Sequence, residues 1–101
     1  MSDPEPDVPA YHLRLFVAGS TPRSQRTIAN LRRLCADHLG VVKVEIVDIY
    51  QQPWLAVQDQ VIAAPTLVKL LPLPTRRVIG DLSDESRVLR ALNVPLASDA
   101  R

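Results

Sequence analysis

Ala63-Ala64-Pro65-Thr66-Leu67-Val68-Lys69-Leu70-Leu71-Pro72-Leu73-Pro74-Thr75-Arg76-Arg77-Val78-Ile79-Gly80-Asp81 is the stretch on which the fold turns. Two apolar runs flank a Pro-Leu-Pro turn, and Pro65 stands at the mouth of the first run, where a missing N–H is tolerated. The reading is an antiparallel hairpin, with Leu67 to Leu71 paired against Arg76 to Ile79. Leu67, Lys69, Leu70 and Leu71 are also good helix formers, so the strand assignment leans on the β-branched residues and the prolines. Local propensity alone leaves the state of this stretch open.

Upstream, Tyr11 to Ala18 alternates, placing Leu13, Leu15 and Val17 on one face and His12, Arg14 and Phe16 on the other. Gly19-Ser20-Thr21-Pro22 ends that strand, and Thr21-Pro22 supplies an N-cap followed by proline at the first helical position. Ile28, Leu31, Leu34, Cys35 and Leu39 then recur at helical spacing, opposite Arg23, Arg26, Asn30, Arg33 and Asp37, until Gly40 closes the helix. Val41 to Ile49 is β-branched and alternating, so a βαβ unit emerges whose two strands run parallel. A second helix follows from Pro53, weakly specified because Gln52 caps poorly. After the hairpin, Ser83 is expected to cap a last helix with Asp84 and Glu85 in its first turn, Val88, Leu89 and Leu92 on its apolar side, and Pro95 as its stop.

The chain has 101 residues, enough for one domain with one core, expected over residues 11–95 between tails at 1–10 and 96–101. Hydrophobic residues are 47% and aromatics 4%, so the core must be aliphatic. No apolar run reaches the roughly 18 residues of a membrane span and no signal pattern opens the chain, which points to the cytoplasm. A formal charge of +1 gives no general drive toward nucleic acid. The single cysteine, Cys35, cannot form an internal disulfide.

The order βαβαββα, with a parallel first pair and an antiparallel last pair, is that of the thioredoxin-like α/β fold, which carries a proline, usually cis, where Pro65 stands. Redox members place two cysteines after the first strand; Thr21-Pro22-Arg23-Ser24 has hydroxyls at both positions, which excludes dithiol exchange. Cys35 falls on the apolar side of its helix and reads as a buried, inert thiol. His12 and His38 have no partner at metal-ligand spacing and read as surface or edge residues. Neither a Gly-x-Ser-x-Gly elbow nor a phosphate loop is present. Arg23, Arg26 and Arg33 form either a solvated helix side or a docking surface, and Trp54 fits either a core filler or an exposed anchor.

Phe16-Val17-Ala18-Gly19-Ser20-Thr21-Pro22-Arg23-Ser24, Val47-Asp48-Ile49 before Gln52-Pro53, and Ala64 through Asp84 resemble the KaiB family of circadian clock proteins, a likeness that runs from about Leu13 to Leu92. The resemblance implies a non-catalytic adaptor without cofactor or metal that docks onto a KaiC-type ring ATPase, with KaiA and a KaiB-like sensor histidine kinase as further clock partners. It also implies a second, rearranged ground-state fold, usually a homo-oligomer, in which the C-terminal half differs. By the same likeness Lys43, Glu45 and Gln60 are candidates to face KaiC and Arg26 a candidate for another partner. A non-clock KaiB of the stress response is the alternative, and a single-thiol redox protein using Cys35 is a further one.

Overall fold

The computed structural model describes residues 10–94. The expected tails and the stop at Pro95 fall outside them, apart from Ala10, whose N–H donates to Val41 O at 3.0 Å. Among the described residues the strands and α-helices follow in the order β1 (Tyr11–Val17), α1 (Pro22–Leu34), β2 (Val42–Asp48), α2 (Pro53–Gln58), β3 (Thr66–Leu71), β4 (Arg76–Ile79) and α3 (Glu85–Ala91), with a π-helical segment, Cys35–Leu39, continuing α1. The four strands form one sheet in the order β2-β1-β3-β4. β1 and β2 are parallel, with Arg14 opposite Glu45, and β1–β3 and β3–β4 are antiparallel. The hairpin is the expected one, with Leu67 opposite Val78 and Lys69 opposite Arg76. The Ala64–Pro65 peptide is cis.

Alternation along β1 decides the layers. Leu13, Leu15 and Val17 point into the main core with Leu31, Leu34, Leu67, Val88, Leu89 and Leu92, which lies between the sheet and helices α1 and α3. Phe16 points the other way, where Val47 and Val68 join it beneath Leu55 and Ala56 of α2. Burying each such aliphatic or aromatic side chain contributes about 1.5–3 kcal/mol, which is why the near absence of aromatics does not prevent a stable core. Lys69 lies within the first layer at 1% exposure; desolvation, then the charge of Arg76, holds its ammonium pKa below the ordinary lysine value.

The helix ends carry the local chemistry. Thr21 Oγ1 accepts from Ser24 N at 3.0 Å and Pro22 opens α1, as the sequence predicts. Beyond Leu34 the helix widens into π-helical turns, Cys35–Leu39, before Gly40 leaves at φ +65°. At α3 the sequence reading needs correction: Asp84, not Ser83, is the N-cap, its Oδ1 accepting from Arg87 N, while Ser83 N donates to Asp81 Oδ1. The aspartate wins because it is one residue nearer the first helical turn and is charged toward the helix dipole. Asn93 at φ 61° closes α3, with Asn93 N bonded to Arg90 O and Val94 N to Leu89 O. Those two bonds are the Schellman pattern.

Candidate protein-docking surface

The loop after β1 holds no reactive pair. The Thr21 hydroxyl donates to Ser24 Oγ at 3.1 Å while accepting from the Ser24 amide, so both alcohols serve the cap. Among the described residues neither hydroxyl bonds a histidine or a carboxylate, the groups that activate such a nucleophile. Asp48 braces this loop, its Oδ1 accepting from Gly19 N at 3.1 Å and from Tyr50 N at 2.9 Å. Gly19 has φ +74°, and a Cβ there would stand 3.4 Å from the Tyr50 ring.

α2 lies on the face away from α1 and α3. Leu55 and Ala56 pack inward, while Trp54 (60% exposed) and Val57 (78%) share its outer side, three residues apart. Tyr50 before the helix and Ile62 after it are also exposed, so this end of the domain presents an apolar surface. Of the two readings left open for Trp54, the exposed one holds.

Beside α2 sits an ionic network centred on Arg14. Its Nη1 donates to Asp59 Oδ2 at 2.9 Å, and its Nη2 and Nε donate to Glu45 Oε1 at 3.0 and 3.2 Å. His12 Nε2 meets the same Glu45 oxygen at 2.7 Å. The bond to His12, and then the bond and charge of Arg14, hold the Glu45 carboxyl below its ordinary pKa against the opposing effect of burial. Burial pulls the Arg14 guanidinium down, but its bonds to Asp59 and Glu45 outweigh that and leave it above its usual value. Arg77 Nε and Nη2 donate to Asp59 O at 3.1 and 3.0 Å, and Nη2 reaches Gln60 Oε1 at 3.4 Å.

Three of the residues singled out in the sequence thus share the α2 side of the sheet. Lys43 and Glu45 alternate onto it from β2 and Gln60 follows α2, whereas Arg26 stands exposed on α1, on the other side. Glu45 is not a free carboxylate, and Arg14 and Asp59 escaped the sequence reading. The signal for Arg14 was available, since parallel pairing sets it directly opposite Glu45.

His12 and His38 are half-buried rather than ordinary surface residues: His38 Nε2 lies 2.7 Å from Glu85 Oε1, joining the end of the first helical segment to α3. Among the described residues no group of three or more His, Cys, Asp or Glu could hold a metal ion, and no helix is long and apolar enough to cross a membrane. Cys35 is buried, and desolvation pushes its thiol up to about 11, so at neutral pH it is not a thiolate.

Sheet order and the parallel crossover define the class: a thioredoxin-like domain whose helix-capping loop carries alcohols. The N-terminal domain of SasA from Synechococcus elongatus shares this fold with a TM-score of 0.70 at 24% identity over 92% of each chain. Mitochondrial thioredoxin 3 from Saccharomyces cerevisiae does so at 0.67 and 17% identity, over 86% of this chain and 80% of that one. A family model described as the KaiB domain matches residues 14–94, and the chain belongs to the KaiB family. The circadian clock oscillator protein KaiB of Synechococcus sp. strain RCC307 is 48% identical over 85 residues, which cover 83% of this chain and 77% of that protein.

Proposed function

We propose that this chain is a non-catalytic clock adaptor that docks, in its thioredoxin-like form, onto a KaiC-type ring ATPase and regulates its ATPase and phosphorylation cycle. The observation that carries this reading is the exposed outer side of α2, with Trp54 at 60% and Val57 at 78% exposure. Large apolar side chains turned to solvent add nothing to the fold, and a tryptophan so placed is a frequent interface anchor. Membership in the KaiB family, and the clock-oscillator name carried by its relatives, support the kind of partner. The capped alcohols Thr21 and Ser24 support the absence of chemistry.

In this reading Lys43, Glu45 and Gln60 rim the surface that Trp54 anchors. Arg26, on the other side of the sheet, serves a further partner, a KaiA-type protein or a KaiB-like sensor histidine kinase. The rearranged homo-oligomeric ground state of the family acts as the store from which this binding form is drawn. Co-elution with the cognate KaiC after long incubation with ATP tests it. The parent chain is expected to co-elute, and Trp54→Ala to weaken the complex about tenfold or more, roughly 1.4 kcal/mol. A parent chain that never co-elutes overturns the adaptor reading; an unaffected Trp54→Ala overturns the choice of surface.

A further inference from the structure

Ile28, Leu31 and Cys35 fall on one face of α1 and its π-helical continuation, and Val44 and Ile46 meet them from β2. Together they line a cavity of about 360 Å³, at the small end of the roughly 300–1,000 Å³ that ligand pockets occupy. Leu31 and Cys35 are buried at its floor. Its mouth is open because β2 ends the sheet, so that among the described residues Val44 stays 38% and Ile46 40% exposed.

One charged side chain, that of Arg32, joins this apolar lining. Among the described residues no carboxylate pairs with it, whereas Arg14, Arg33 and Arg77 each donate to an oxygen of the fold. Desolvation raises the Cys35 thiol pKa, and the charge of Arg32 opposes that effect, so the field of the guanidinium reaches the pocket wall. A cation beside an apolar hollow suits a ligand with an apolar body and an anionic end. The planar fork of a guanidinium matches a carboxylate through two parallel N–H···O bonds, and one guanidinium balances one negative charge.

We propose that the groove between α1 and β2 binds a small monocarboxylate with an aliphatic tail, the tail lying against Leu31, Cys35, Val44 and Ile46 and the head on Arg32. Binding makes no covalent bond, and Cys35 serves as part of the apolar wall. The groove lies on the opposite face of the sheet from α2 and Trp54, so this site and the docking surface stand or fall separately.

Octanoate titrated into the isotope-labelled chain alone, followed by amide chemical shifts, tests this without any protein partner. Octanol and octylammonium, of the same tail length, are the controls. Octanoate is expected to bind saturably with a Kd on the order of 0.1–1 mM, as suits a ligand so small. The amides of Ile28, Leu31, Cys35, Val44 and Ile46 are expected to move most. Octanol is expected to bind more weakly and octylammonium more weakly still. Arg32→Gln is expected to weaken octanoate about three- to tenfold, leaving octanol and the far-UV spectrum unchanged. Val44→Trp, which fills the mouth from a half-exposed position, is expected to block both. Octanoate that does not saturate by about 10 mM, shifts centred on the α2 side, octanol or octylammonium bound as tightly as octanoate, or an Arg32→Gln chain that binds octanoate as the parent does overturns the proposal.

Discussion

Arg14 Nη1 donates to Asp59 Oδ2 at 2.9 Å, and this bond ties the central strand of the sheet to the last turn of α2. Asp59 is the C-cap of that helix, and its carbonyl oxygen is held from the other side by Arg77. α2 has six residues, none of them fully buried, and Gln52 gives it no side-chain cap. Two arginines therefore hold an element whose own sequence specifies it weakly, and that element carries the exposed tryptophan.

Arg14→Met is accordingly expected to lower stability by about 2 kcal/mol, because it removes charge-assisted bonds and leaves Asp59 and Glu45 without their main partner. Asp59→Asn, which keeps a hydrogen-bonding oxygen, is expected to cost less. Urea unfolding gives both values. Hydrogen exchange adds a local readout, since the α2 amides are expected to exchange faster in Arg14→Met than those of α3.

Glu45 sets a pH dependence. Its carboxyl pKa in the folded chain lies below the ordinary value, through the bond to His12 first and then through Arg14. The unfolded chain therefore takes up the proton first, at about pH 4.3. The contribution is complete above that pH and is lost as the pH falls through the lower folded value. Urea midpoints measured downward from pH 6 are expected to fall more steeply in the parent than in Glu45→Gln, and parallel curves would remove Glu45 from the account.

Much of the first half of the chain is legible because its signals agree. The alternation of Leu13, Leu15 and Val17, the Thr21-Pro22 cap and the spacing of Ile28, Leu31, Leu34 and Cys35 each point to the observed element. The hairpin was legible through its prolines and β-branched residues despite the helix-forming residues in β3. The Arg14 network was not, because its members lie 31 and 45 residues apart and only the register of β1 on β2 and the fold-back of α2 bring them together. For Lys43 and Glu45, two of the candidates named from the family likeness, the same limit holds: their place on the α2 side follows from the alternation of β2, but the internal bonds that occupy Glu45 do not.

Both short helices end on a non-glycine residue in the left-handed region, Gln60 at φ 59° after α2 and Asn93 at φ 61° after α3. Gln60 N donates to Val57 O and Val61 N to Ala56 O, the same pair of bonds seen at Asn93. A side chain with a Cβ costs roughly 1–2 kcal/mol in that conformation, and asparagine tolerates it better than glutamine. Gln60→Gly is thus expected to stabilise the domain by about 1 kcal/mol and Asn93→Gly by less. Thermal melts resolve this, since about 1 kcal/mol moves the midpoint of a domain this size by about 4–8 °C.

Lys69 is the one lysine placed in the main core layer, opposite Leu13 on β1 and Arg76 on β4, and among the described residues no carboxylate pairs with it. Burial, and secondarily the charge of Arg76, hold its folded pKa below the ordinary value. Below that lowered folded value both folded and unfolded chains carry the proton, and the folded state bears the desolvation cost. As the pH rises through the lowered folded value, the folded chain releases that proton before the unfolded chain does, near pH 10.4, and the cost is relieved. Lys69→Met keeps an unbranched apolar stem and removes the charge, so it is expected to be more stable than the parent at pH 7. The advantage should narrow as the pH is raised toward 10.4, and urea midpoints of the two chains between pH 7 and that limit read it directly. An advantage independent of pH would assign the gain to packing, and no gain at pH 7 would place the ammonium in water at the end of a buried stem.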